Sequence, residues 1–216
     1  MPFPTTDQLE VPAWPGTNGT AIPAPPWQSP FLQDAGTISQ AGTNTVKASA
    51  TASAGYTLTM FGADQEVWIP ITTLVAANNW IQLLLRVSNT GSSNPDAYIL
   101  KITLPTPNTG NATWEIRKKL AGGSSTLIST PSTTTALAAG DSIGFQAIGS
   151  SLSAWKKPSA GSWAQIGASG SDSSITAQGY IGFSLFDTTG RGGAPGGGTY
   201  RPLPDVTIAR PRILVV

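Results

Sequence analysis

The 216-residue sequence predicts an all-β protein, an antiparallel sandwich with a proline-rich extended N-terminal arm. Three observations predict it. From about residue 36 onward, short runs rich in Val, Ile, Thr and aromatic residues alternate with clusters of Gly, Ser, Asn and Thr, the spacing of strands and turns in a sandwich. No segment sustains a 3.6-residue apolar period for long. The 24 glycines and 18 prolines follow no collagen repeat, so they read as turns.

The segment 1–35 forms the arm, and 36–216 the sandwich. The arm carries Pro2, Pro4, Pro12, Pro15, Pro23, Pro25, Pro26 and Pro30. Proline fixes φ and removes a backbone donor, so the arm is neither helix nor central strand. It nevertheless holds Trp14, Trp27 and Phe31, apolar cargo that a plain linker seldom carries. Those three are the candidate docking residues of the arm, with a neighbouring subunit as the expected receptor and this chain's own domain as the alternative.

Strands are expected near Thr45–Ala50, Tyr56–Phe61, Glu66–Ile71, Ile81–Ser88, Ala97–Thr103, Thr113–Leu120, Ser125–Ser129, Ser142–Ile148, Leu152–Lys157, Ser162–Gly167, Tyr180–Phe186 and Val206–Val215. A helix of one or two turns is expected near Thr73–Asn79. Alternation assigns faces. Ile81, Leu83, Leu85 and Val87 oppose Gln82, Leu84 and Arg86. Tyr98, Leu100 and Ile102 oppose Ile99 and Lys101, and Trp114 and Ile116 oppose Glu115 and Arg117. These three strands form an antiparallel meander with one packed face and one bearing Arg86, Lys101, Glu115 and Arg117.

Composition excludes several chemistries. The chain has no Cys and no His, which rules out a Ser-His-Asp triad, a cysteine nucleophile, a disulfide framework and a zinc finger. Charged residues make up 11%, against an ordinary share of about 25%, and the net charge is +1. No global field attracts nucleic acid, and no run approaches the apolar length of a membrane span. The opening stretch MPFPTTDQLEV lacks the basic and apolar regions of a secretory signal. In Gly190–Gly198, Pro195 and successive glycines preclude the helix that a phosphate loop needs.

The order of features from about Phe31 onward resembles the concanavalin A-like lectin/glucanase superfamily in its laminin G-like style. FGADQEVWIPI at Phe61–Ile71, LLLRVSN at Leu83–Asn89, DAYILKIT at Asp96–Thr103, LAAGDSIGFQAIGSSLSAW at Leu137–Trp155 and DSSITAQGYIGFSLF at Asp172–Phe186 carry the likeness. The resemblance implies a two-sheet jelly roll with a curved sheet. The glucanase members' Glu-x-Asp-x-x-Glu motif is absent, and Lys156–Gly161 replaces the usual Asn-Gly turn. The composition and the proline-rich beginning are also similar to those of tailed-phage virion proteins.

Four candidate sites follow. A glycosidase needs two carboxylates about 5 to 9.5 Å apart, but most of the 11 acids sit in turns, and Glu115, centred in a strand, has Arg117 beside it and Lys101 or Arg86 across strands. No catalytic residue is assigned. Trp155 and Trp163 project from the less apolar face of one hairpin, where indole faces can stack on sugar rings; a cross-strand pair that only steadies the hairpin competes with that reading. The basic residues Arg86, Lys101, Arg117 and Lys119 could hold an anionic glycan or an acidic arm, the alternative being a solvated strand face. Asn94, Asp96, Asp172 and Asp187 could offer oxygens to Ca²⁺, though turn capping is the plainer role. No metal and no cofactor is assigned.

The expected function is that of a non-enzymatic phage virion protein, a minor tail or tail-tip protein with weak host-glycan adhesion. A head decoration protein is the alternative, and a carbohydrate-binding module or glycoside-active enzyme is the competitor from another class. Its partners would be other virion proteins, a host glycan and further copies of itself, as in a trimer. It would reside in the virion and be made in the host cytoplasm.

Overall fold

The computed structural model describes residues 27–29, 31–32, 36–42, 45–48, 50–71, 73–88, 95–107, 110–186 and 200–202. The strands among them are β1 Trp27–Gln28, β2 Ile38–Gly42, β3 Thr45–Ala48, β4 Ala52–Phe61, β5 Gln65–Pro70, β6 Trp80–Val87, β7 Ala97–Thr103, β8 Asn111–Lys119, β9 Thr126–Leu127, β10 Ser132–Ala136, β11 Ser142–Ile148, β12 Ser151–Lys157, β13 Ala164–Ser171, β14 Gly179–Phe186 and β15 Tyr200–Pro202. There is no helix among the described residues.

Two antiparallel sheets make the sandwich. The larger has the order β1-β4-β14-β6-β7-β8-β10, with β9 also on β8; the smaller has β13-β12-β11-β5-β15; β2 and β3 form a separate hairpin. The expected meander is present, with Leu83, Leu100 and Ile116 in one cross-strand row and Ile81, Ile102 and Trp114 in the next. These side chains face Val67, Ile69, Ile143, Phe145, Leu152 and Ala154 of the smaller sheet in one core. Each fully buried Leu, Ile or Phe there stabilises by about 1.5–3 kcal/mol, so the alternation read from sequence is also the source of the fold's stability.

Three expectations are corrected. Thr73–Asn79 is a loop closed by a turn at Ala76–Asn79, not a helix: Asn78 takes φ 62°, a left-handed conformation that Asn tolerates but a helix does not. Its N–H and the carbonyl of Asn79 bond the backbone of Leu104. Second, Val87 and Arg86 exchange faces. Between the pairs Tyr180–Val87 and Gly182–Leu84, β14 advances two residues and β6 three. Arg86 absorbs the extra residue at φ 50°, and such a bulge reverses every later side chain. Val87 therefore lies outside with Leu84, Ala97 and Ile99, and Arg86 is buried. Third, Phe31 does not await a neighbour. It is fully buried in that same outer cluster, with its N–H and that of Leu32 bonded to Ser53 Oγ at 3.0 and 2.7 Å.

Trp14, most of the 1–35 arm and the expected strand at Val206–Val215 lie outside the described residues. Trp27 is placed by its backbone alone, opposite Tyr56.

Candidate functional site: a cleft on the smaller sheet

The outer face of the smaller sheet is laid out by period-two alternation. The inward positions Val67 and Ile69 of β5, Ile143, Phe145 and Ala147 of β11, and Leu152 and Ala154 of β12 are apolar, so the outward ones read off directly. One cross-strand row holds Trp68, Gly144, Trp155 and Gln165, and the adjacent row Glu66, Gln146, Ser153 and Ser169. Between the pairs Ser153–Ser169 and Trp155–Gln165, β12 advances two residues while β13 advances four. The surplus residues bow β13 away from its neighbour. A cleft of about 370 Å³ opens on these strands, lined by Gln146, Ser151, Ser153, Trp155, Gln165 and Ser169, with the chain at Leu152 and Gly170 completing it.

The lining is hydroxyl, amide and indole. Trp155 is half-buried, and its Nε1 donates to Ser153 Oγ at 3.0 Å. Gln146 donates from Nε2 to Glu66 Oε2 at 3.1 Å. Glu66 is fully buried and Gln146 nearly so. A small volume with a few fixed polar groups and one aromatic wall is the form of a site for a small polar ligand.

The structure does not bring the five expected glycan residues together. Trp155 lines the cleft, and Trp163, half-buried, lies just before β13 on the same sheet. Lys101 and Arg117 stand on the outer face of the larger sheet. There Glu115 takes both cations, at 4.0 Å from Lys101 and 3.1 Å from Arg117. Arg117 Nε also donates to Ser125 Oγ at 3.0 Å, and Lys101 lies 5.9 Å from the ring of Trp80, which stacks on Phe186.

Arg86 belongs to neither face. Its guanidinium is buried at one end of the sandwich and donates to the carbonyls of Ala63 and Gly149, each at 2.6 Å, and of Ile175. Tyr98 lies beneath it, 5.5 Å from ring centre to guanidinium carbon, and Asp64 is 4.0 Å away. Burial pushes the Arg86 pKa below the usual arginine value, with Tyr98 and Asp64 acting in the opposite direction. The group is a tie between loops, buried away from any glycan.

Asp96 and Asp172, suggested as Ca²⁺ ligands, meet protein donors. Asp96 accepts from Ala121 N–H and Ser88 Oγ, and Asp172 from Lys118, Ser174 N–H and Tyr98. Asn94 and Asp187 lie outside the described residues. Sequence reasoning missed Gln146, Glu66, Gln165 and Ser169. The available signal was a polar residue on the outward face of each of two largely apolar strands, Glu66 in QEVWIP and Gln146 in SIGFQAI.

No family model matches the chain, and no curated protein matches it in sequence. Similar solved structures do exist. The carbohydrate binding module CBM66 from Bacillus subtilis superposes with a TM-score of 0.50 at 10% identity, covering 86% of this chain and 94% of that one. The exoplasmic/lumenal domain of VIP36, in its Ca²⁺/Man3GlcNAc-bound form, superposes with a TM-score of 0.54 at 14% identity, covering 83% and 84%. The fold is therefore a two-sheet antiparallel jelly roll, the fold that the sequence resemblance implies.

Proposed function

We propose that this chain is a non-enzymatic carbohydrate-binding jelly roll that takes its ligand in the cleft beside Trp155. The observation that carries the reading is the cleft itself: a space opened by the bowed β13, walled by an indole and lined by neutral hydrogen-bonding groups. The aromatic face meets the C–H side of a sugar ring while amides and hydroxyls meet its rim. The two similar structures, a carbohydrate-binding module and a domain holding Man3GlcNAc, support it by analogy of fold. Binding rather than hydrolysis is supported by the register: opposite Glu66 stands Gln146, then Ser153, where a glycosidase would need a second carboxylate.

A glycan array probed with the full chain and with Trp155→Ala tests this. The native chain retains at least one glycan, and the variant loses that signal by about tenfold or more while its melting temperature stays within a few degrees, because removing a stacking wall costs the ligand more than the fold. No glycan retained, or one retained equally by the variant, rejects the site.

The finer role we propose is adhesion from a tailed-phage particle, as a minor tail or tail-tip protein, with head decoration as the alternative. Support comes from the low charge, the absence of Cys and the proline-rich N-terminal segment with Trp14 and Trp27. Many copies on one particle would let weak sugar contacts add up by avidity. Mass spectrometry of purified particles tests it, and absence of the chain from intact particles rejects it.

A further inference from the structure

We infer that the cleft selects neutral sugars and rejects anionic ones, and that Glu66 enforces this by fixing which end of the Gln146 amide meets the ligand. The inference rests on the cleft being a glycan site. A carboxylate accepts hydrogen bonds and does not donate them. Glu66, fully buried beside Gln146 in the same cross-strand row, therefore holds Gln146 by its NH₂ group, at 3.1 Å. The amide is planar, so once Nε2 is turned to Glu66 the carbonyl Oε1 is left for the cleft that Gln146 lines. Gln146 thus presents an acceptor.

Ser153 presents the opposite. Its Oγ already accepts from Trp155 Nε1 at 3.0 Å, which leaves the hydroxyl proton to be donated. An acceptor at Gln146 and a donor at Ser153, in adjacent positions of neighbouring strands, suit a pair of vicinal hydroxyls on a pyranose, one giving its proton and one taking one, with the ring face against Trp155. A carboxylate or sulfate has no proton for Gln146 Oε1. It meets no cation among the residues lining the cleft. Glu66 is accordingly a positioning residue and makes its effect through Gln146.

The test uses the full chain in saturation-transfer NMR and calorimetry. The probes are the methyl pyranosides of glucose, mannose and galactose, methyl glucuronide, N-acetylneuraminate, and the monodeoxyfluoro forms of whichever neutral hexoside binds. A neutral hexoside binds, with the acids weaker by about tenfold or more. Fluorine accepts but cannot donate, so at one ring position its substitution for hydroxyl costs about tenfold or more in the native chain. In Glu66→Gln the facing amide can donate as well as accept, Gln146 is free to turn over, and the hydroxyl-to-fluorine ratio falls towards one; Glu66→Asp keeps it. Glucuronide or neuraminate bound as tightly as the neutral sugars, with sensitivity to Trp155→Ala, overturns the selectivity and leaves glycan binding intact. Equal affinity for hydroxyl and fluoro forms at every position of the native chain overturns the acceptor assignment without any variant. Binding indifferent to Trp155→Ala, or no binding, overturns the glycan site on which the inference stands.

Discussion

Arg86 shows how one side chain can hold several loops. Its three carbonyl partners come from the β4–β5 turn at Ala63, the β11–β12 turn at Gly149 and the loop before β14 at Ile175. Its own N–H donates to Gln65 Oε1, and Gln65 Nε2 reaches the carbonyls of Phe61 and Gly179. Replacing Arg86 by Met keeps the stem and removes every side-chain donor, stranding the carbonyls. The expected loss is about 2–4 kcal/mol, read as a lower urea midpoint. Arg86→Lys recovers little of it, because a single ammonium cannot span three carbonyls on separate loops as the planar guanidinium fork does. A midpoint within experimental error of the native chain for either variant would show that the tie is redundant. Nothing in LLLRVS announces this role. Strict alternation puts Arg86 outside, and the extra residue of β6 that turns it inward is set by pairing with β14, about a hundred residues away.

At the scale of elements, alternation was readable wherever both faces of a strand differ in polarity. The β6–β7–β8 meander and the inward faces of β11 and β12 follow from it. The strand β10, STTTA, was not readable: it is short, half or more exposed, and made of residues that suit a loop equally well. The seat of Phe31 was hidden for a different reason. Its ring occupies the space that Cβ atoms would fill at Gly55 and Gly182, where they would come within 2.2 and 2.8 Å of ring carbons. Two glycines in two strands, 127 positions apart, become one slot only when β4 and β14 pair, Gly55 against Gly182. The bulge that opens the cleft at β13 is likewise invisible in AQIGASGS, so Gln165 and Ser169 could not be joined to Trp155 from sequence. The slot makes a prediction at this scale. Phe31→Ala removes a fully buried ring, at a cost of about 3–5 kcal/mol. Gly55→Ala expels that ring and costs a comparable amount. Combined, the two cost clearly less than their sum, since with the ring gone the new methyl has room. Chemical denaturation of the two single variants and the double variant measures the coupling, and strict additivity would mean that the ring does not sit over Gly55.

For the whole molecule, the two sheets are also joined by a polar chain, and that chain titrates. Lys118 of β8 pairs with Asp172, which follows β13, so a strand of the larger sheet is tied to the loop that leaves the smaller one. Tyr98 Oη lies 2.9 Å from Asp172 Oδ1 and 3.0 Å from its carbonyl, its one proton serving either, and accepts from Ile175 N–H. Burial works to raise the Asp172 pKa, but hydrogen bonds from Lys118, Ser174 and Tyr98 outweigh it, and the carboxyl falls from 3.8 to about 2. A depressed native value means that the folded chain binds this proton more weakly than the unfolded chain. The stabilisation is therefore complete above about pH 5, begins to fade below the unfolded value and is gone once the pH passes the native one. With solvent screening at this partly exposed site allowed for, the loss is about 1–2 kcal/mol. Tyr98 works at the other end of the scale: burial first, then Asp172, raises its phenol above 10.0, so its contribution is present below that pH and is lost as the pH rises through the native value. Asp172→Asn isolates the acid limb. It is less stable than the native chain at pH 7, and the gap between the two urea midpoints closes as the pH is lowered from 5 towards 2, because the native carboxyl becomes protonated and approaches the amide in charge. A gap that stays constant over that range would show that the Lys118–Asp172 pair does not bind the two sheets through its charge, and that the apolar core alone sets their association.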